Sequence, residues 1–355
     1  MKNFYRYLAA LTIITALTIM TTGVQAGNKD RSGQAGAPEL LINPWAGSAG
    51  WGGVNSSNVR GVESMFGNIA GLAFVNKLEL GFTQTSWLKG TDIGISNFGI
   101  GVRAGETGVI GISVFSMQFG ELDVTTTDQP DGTGATFKPS LLNFALSYAK
   151  TFSNSISAGL TIRVISESIP DASAQGVAID AGVMYVAGER DQAKFGIALR
   201  NLGPTMKFTG DGFSIKAFFQ GNENSISVYQ RSESFELPTQ LRIGASYDFQ
   251  IGEIHRLTMA ANFTSNSFTK DQFGLGLEYS LKEILILHAG YNYESGIFDD
   301  VNDPDRTNAY SGLALGGSVE VPLSKKNNLI LGIDYAYQST DNFSGTQSFG
   351  VRLKY

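Results

Sequence analysis

Two histidines, no cysteine, and arginines and carboxylates set singly inside apolar segments are all that this 355-residue chain offers for chemistry. Without cysteine there is no thiolate nucleophile, no sulfur-ligated metal and no disulfide. His255 falls at an expected turn in "GEIHRL", and His288 shares one strand face with Gly290 and Asn292. Neither stands in a zinc-binding H-E-x-x-H pattern or near a G-x-S-x-G elbow, so both read as structural. "GIGVRAG" has glycines at phosphate-loop spacing, but inside a strand rather than between strand and helix. The loop "DDVNDPDR", residues 299 to 306, gathers carboxylates yet lacks the glycine and terminal glutamate of a calcium loop. A solvated surface loop is expected there, and no catalytic residue, metal or cofactor anywhere.

The remaining charges have a pattern. In "SISAGLTIRV", Ile156, Ala158, Leu160, Ile162 and Val164 alternate with Ser157, Gly159, Thr161 and Arg163. In "QLRIGASYDF", Leu241, Ile243, Ala245, Tyr247 and Phe249 alternate with Arg242, Gly244, Ser246 and Asp248. "QFGLGLEYSL", "KFGIALR" and "LILGIDYAYQ" repeat the rule, placing Glu278, Arg200 and Asp334 on the small, polar face. Only strands produce a two-residue period. Arg163, Arg200, Arg242, Asp248, Glu278, Asp334 and Arg352 therefore share one kind of face, where they pair with one another or meet a plug or a polar ligand group.

Which sheet carries that face follows from the ends of the chain and the glycine content. Lys2 and Arg6, the apolar run Leu8 to Met20 and the small-x-small "VQA" before Gly27 read as an export signal, residues 1 to 26, removed after use. Loss of its two basic residues takes the net charge from −6 to −8, which argues against a nucleic-acid partner. A soluble sandwich would also alternate, but its outer face would be rich in Lys, Glu and Thr and poor in Gly. Here the polar face is Gly, Ser and Ala with isolated charges, and Tyr148, Tyr247, Tyr279, Tyr335 and Tyr337 gather near strand ends. The expected fold is all-β, a transmembrane antiparallel β-barrel in contact with outer-membrane lipid.

Strands are expected to begin near residues 77, 91, 108, 139, 154, 175, 193, 239, 254, 271, 284, 309, 328 and 345, about 14 in all. Connections after even-numbered strands are short, and those at 123 to 138, 202 to 238 and 296 to 308 are long, the asymmetry of an outer-membrane barrel with periplasmic turns. The last strand, "SFGVRLKY", ends on an aromatic residue. A barrel this wide must be filled or conduct. Residues 27 to 76 are thus expected to be a periplasmic N-terminus and lumenal plug, with Trp51, Gly52, Gly53, Asn68 and Gly71 in the plug and residues 77 to 355 as the barrel. In the long segment 202 to 238, Phe213, Phe218, Phe219 and Tyr229 are candidate anchors for a partner, or they fold back over the mouth.

"SAGWGGVNSSN" followed by "MFGNIAGLAF", then "LRNLGPTMKF", "ELPTQLRIGASYDF" and "GIDYAYQ", resemble in order and spacing the PorV/PorQ family of Bacteroidetes outer-membrane proteins, itself similar to FadL-type fourteen-strand barrels. Trp51 stands where that family has Met, and Ile69 where it has Pro. The resemblance implies a non-enzymatic component of the type IX secretion system in the outer membrane. Its partners would be translocon or attachment-complex proteins, or secreted substrates with a C-terminal signal domain. FadL-like relatives imply the alternative, a channel for hydrophobic small molecules.

Overall fold

In a bilayer every peptide group must find its partner within the protein, and alternating strands achieve this only by closing on themselves. The computed structural model, which describes residues 31, 33–218, 225–300, 302–303, 306–324 and 328–355, shows that closure. Fourteen wall strands follow one another: β1 (Leu78–Trp87), β2 (Ile93–Ala104), β3 (Gly108–Gln118), β4 (Ser140–Thr151), β5 (Ile156–Ile169), β6 (Ala172–Ala187) and β7 (Ala193–Leu202), then β8 (Gln240–Ile251), β9 (His255–Asn266), β10 (Gln272–Leu281), β11 (Leu285–Glu294), β12 (Tyr310–Ser324), β13 (Leu329–Thr340) and β14 (Thr346–Lys354). Each pairs antiparallel with its sequence neighbours, and β1 returns to β14 with Leu80 opposite Leu353 and Phe82 opposite Val351. The expected starts fall within three residues of the observed ones throughout.

The period-two pattern sorts the side chains. Phe82, Leu146, Leu160, Ile197, Leu275 and Ile333 stand exposed on the outer face, an apolar belt of the kind lipid requires. Tyr148, Tyr247, Tyr279 and Tyr335 are exposed with them. No described helix is long and apolar enough to cross a membrane.

One stretch of wall departs from simple pairing. β6 overhangs the shorter β7, and the register between them shifts between Ile179 and Ala181. Asn201, at φ 58°, turns the chain there, its N–H donating to the Asp180 carboxylate at 2.7 Å. The free upper edge of β6 is taken instead by Met206–Thr209, which pairs in turn with Ser234–Phe235. The edge is thereby covered at Ser173 and Ala174, next to the turn into β6.

The N-terminal segment fills the lumen. Its first described residues, expected on the periplasmic side, lie at the opposite, long-loop end: Arg31 pairs with Glu236 at 2.6 Å, and Ala35 bridges to Glu236. From there the chain passes through the turn Pro38–Leu41, the short helix α1 (Ala46–Ala49) and the turns Gly61–Met65 and Ile69–Phe74. It leaves at the short-turn end, where Arg103 of β2 donates to the carbonyls of Ala73, Val75 and Asn76. The signal segment, residues 1 to 26, lies outside the described residues.

Seating depends on glycine in the wall. A methyl carbon at Gly276 would lie 2.7 Å from the Trp51 indole, and one at Gly99 would lie 2.7 Å from that of Trp45. At Gly290 it would strike the Trp51 carbonyl, and at Gly196 that of Ser56. The inward glycines that thin the strand faces are therefore sockets for the segment, and Trp45, Val62, Met65, Phe66, Ile69 and Leu72 form the apolar cluster that occupies part of the lumen. Gly276→Leu is expected to unseat Trp51 at an overpacking cost of ~1–3 kcal/mol while the wall still closes. Single-channel recording checks this: heat-modifiable, folded protein with raised conductance is the expected result, and wild-type conductance contradicts it.

Candidate functional site

The plug residues singled out from the sequence converge on the wall. Trp51 is buried and stacks on His288 of β11, ring centroids 6.0 Å apart. Gly52 and Gly53 both take positive φ, 64° and 80°, where a side chain would strain the turn, and the Gly52 carbonyl accepts from Asn292 Nδ2. Asn68 caps the turn Ile69–Phe74 by accepting from Ala70 N–H, and its amide donates to the Ser56 and Val183 carbonyls at 2.9 and 3.2 Å. Gly71 sits where any side chain would meet the Val59 carbonyl. The absence of a sequence period in this segment has its reason here: its polar groups are met by turns and by individual wall side chains rather than by a ladder.

Among the described residues the segment leaves an inner and an outer chamber. The inner one, toward the short turns, has a volume of about 450 Å³ and is bounded by charge. Arg352 holds Asp334 through two hydrogen bonds of 2.6 Å and reaches Glu320 at 3.4 Å and Glu63 of the plug at 3.6 Å. Arg256 joins Glu278 at 2.9 Å and Glu283 at 2.8 Å, and Lys194 joins Asp248. Cations and carboxylates here answer one another.

The outer chamber, about 250 Å³, opens toward the long loops and is different in kind. Ile42, Phe66, Ile297 and Leu313 supply apolar wall, while Gln240, Asn266, Gln272 and Asn292 supply amides. Beneath it lie three arginines. Arg163 is paired with Asp180 at 2.7 Å. Arg200 donates to the Gln240 side-chain oxygen at 3.1 Å and the Leu40 carbonyl at 3.2 Å, with its guanidinium 3.8 Å from the centre of the Phe66 ring. Arg242 donates to the same Gln240 oxygen at 2.9 Å and lies 5.4 Å from the same ring.

All seven charges read from the alternation face inward: Asp248, Glu278 and Arg352 line the inner chamber, Arg242 lines the outer one, and Arg163, Arg200 and Asp334 are buried beside them. Asp180, Lys194, Arg256, Glu320 and the plug's Glu63 are the partners that the sequence reading did not name. Alternation was the available signal for Asp180, Lys194, Arg256 and Glu320, each on the inward phase of its strand, whereas nothing local marks Glu63. The candidate partner residues sit apart from both chambers. Phe213 packs on Tyr229 in the hairpin Ser214–Phe218/Ser225–Tyr229, Phe218 and Tyr229 are exposed, and Phe219 lies outside the described residues. Phe208, by contrast, packs on Phe235 beside Ala37, Leu40 and Met206, closing the mouth above β6. His255 meets the Tyr279 hydroxyl at 2.7 Å near a short turn. No described cluster of three metal-ligating side chains exists.

The sequence matches no protein-family model and no curated protein. The fold has known counterparts. The toluene transporter TbuX of Ralstonia pickettii is 13% identical with a TM-score of 0.54, over 87% of this chain and 97% of that one. The CymD monoaromatic hydrocarbon channel is 13% identical at 0.53, over 88% and 97%. A FadL homologue of Pseudomonas aeruginosa is 13% identical at 0.51, over 88% and 98%. The chain thus has the FadL-type fold, a closed fourteen-strand barrel with an occupied lumen.

Two plug carboxyls make its seating depend on pH. Burial and the neighbouring Glu167 carboxylate push Glu39 from 4.5 up to about 7, and burial raises Glu63 as well despite Arg352. Once the segment leaves the lumen these groups regain their ordinary values. Seating is then fully favoured below about pH 4.5 and loses that contribution, at most ~3 kcal/mol for Glu39, as pH rises through about 7. Leak current through the reconstituted barrel should be lower near pH 5 than near pH 8, and Glu39→Gln with Glu63→Gln should level the two. Equal wild-type leak at both values contradicts the assignment.

Proposed function

We propose that this chain is a non-enzymatic outer-membrane channel that admits small molecules with an apolar body from its long-loop side, the N-terminal segment acting as the gate. The observation that carries the reading is the divided lumen: an outer chamber with apolar and amide walls, a plug seated by close packing and continuous with the wall where Val75 leads into β1, and a charged inner chamber beyond it. The FadL-type fold supports it, since two of the similar structures are described as a toluene transporter and a monoaromatic hydrocarbon channel. The apolar outer belt and the contrast of short turns with long loops support an outer-membrane site.

The second reading, a translocon partner or substrate shuttle of type IX secretion, has one feature on its side. The hairpin Ser214–Phe218/Ser225–Tyr229 carries Ile215, Phe218, Ile226 and Tyr229 exposed beyond the barrel mouth. The similar structures lend that reading no support.

Toluene entry into liposomes separates the two. Reconstituted protein should speed entry several-fold over protein-free liposomes, and the unseated Gly276→Leu variant should speed it further. Unchanged entry for both, with a secretion component retained in mild detergent from the native membrane, would replace the first reading with the second.

A further inference from the structure

The outer chamber contains a charge that the protein itself does not answer. Arg163, Arg200 and Arg242 lie near Asp180, which Arg163 already holds, and Glu39 of the plug lies on the Arg163 side of the group. Among the described residues neither Arg200 nor Arg242 makes an ion pair. Arg200 is enclosed, with hydrogen bonds to Gln240 and Leu40 and the Phe66 face against it. Nε is unpartnered in both, but Arg242 is less well served: it is 7% exposed and its one hydrogen bond goes to the Gln240 oxygen that it shares with Arg200. It also lines the outer chamber.

A guanidinium withdrawn from water costs several kcal/mol, repaid only when an anion and hydrogen-bond acceptors meet it. At this site the protein provides one shared amide oxygen and the edge of an aromatic cluster. The inner chamber shows how the same chain treats a buried arginine whose role is structural, since Arg352 is met there by Asp334, Glu320 and Glu63. Arg242 lacks such company, and it faces open space instead of packed side chains.

We infer that the outer chamber is a binding site for a small organic acid, whose carboxylate pairs with Arg242 and whose apolar body lies against Phe66, Ile42 and Leu313. The inference rests on the reading of the barrel as a small-molecule passage and names the ligand class. The size is suitable: 250 Å³ equals about eight waters at ~30 Å³ each, which is the scale of a single ring bearing a carboxylate and not of a long chain. The polarity is suitable as well. Asn266, Gln272 and Asn292 present amides around the space, and the one carboxylate of its lining, Glu294, is occupied by the Gln272 amide at 2.9 Å. Arg242 offers a planar fork of donors, the geometry that carboxylates match in pairs of hydrogen bonds.

Benzoate and its neutral isostere benzamide test the charge, and toluene tests the passage. Calorimetric titration of the full-length protein in detergent should show benzoate binding about tenfold or more tighter than benzamide, a loss of the same order in Arg242→Gln, and no displacement by inorganic phosphate. Benzamide binding as tightly as benzoate, Arg242→Gln binding benzoate like wild type, or phosphate displacing benzoate would each overturn the site. If Arg242→Gln does not attain the heat-modifiable folded state, the wild-type comparison of benzoate with benzamide decides alone. Failure of the two ideas looks different: toluene entry without benzoate preference removes the acid and keeps the passage, whereas benzoate preference without entry of either solute removes the passage and keeps the site.

Discussion

A closed wall of fourteen strands leaves a lumen wider than its own side chains can fill, and the rest of this molecule follows from that constraint. Larger inward side chains would narrow the space but could not shape it. This chain uses small ones instead, so that a separate segment of its own sequence lies against the wall at backbone distance. Trp45 rests where Gly99 and Gly81 leave room, Trp51 where Gly276 and Gly290 do, and Val54 against Gly274. The packing resembles that of a core, but the two packed parts are joined at one end only, at Val75 and Asn76 beside Arg103.

Charge follows the same division. At the short-turn end Glu63 of the plug joins the wall network of Arg352, and Arg256 is met by wall carboxylates, so that burial of both cations is tolerable. Toward the long-loop end Arg163 is paired with Asp180, whereas Arg242 makes no ion pair among the described residues and lines the outer chamber. One end thus ties the segment to the wall by an ion pair, and the other leaves Arg242 without one. The carboxyls of Glu39 and Glu63, carried on the segment itself, link the holding to proton concentration.

The wall follows different rules from its contents. Every strand is antiparallel to its neighbours, and where β7 falls short of β6 the long connection supplies Met206–Thr209, which pairs with Ser173 and Ala174. The same connection places Phe208 and Phe235 over Ala37 and Leu40, so a loop that mends the wall also caps the entry of the plug. That a fold of this kind recurs at 13% identity shows how little of it depends on particular side chains: alternation, closure and room inside are sufficient.

These requirements also divide what was legible in the sequence from what was not. Period-two alternation is local, so the fourteen strands, their ends and the inward phase of Arg163, Arg200, Arg242, Asp248, Glu278, Asp334 and Arg352 could all be read from the chain alone. Turn lengths are local too, and they set the short and long ends. Pairing across the lumen is not local: which carboxylate meets Arg352, why Arg242 meets none, and why Glu63 faces Arg352 depend on how the segment lies against strands far away in sequence. The direction of that segment, entering from the long loops and leaving beside Arg103, has no periodic trace in the sequence, because it is held by individual contacts such as Arg31 with Glu236 and Asn292 with the Gly52 carbonyl. Sequence by itself determined the wall, because each strand carries its own pattern. Only the tertiary structure decided the contents of the lumen, because packing inside a closed wall joins residues that no local rule relates.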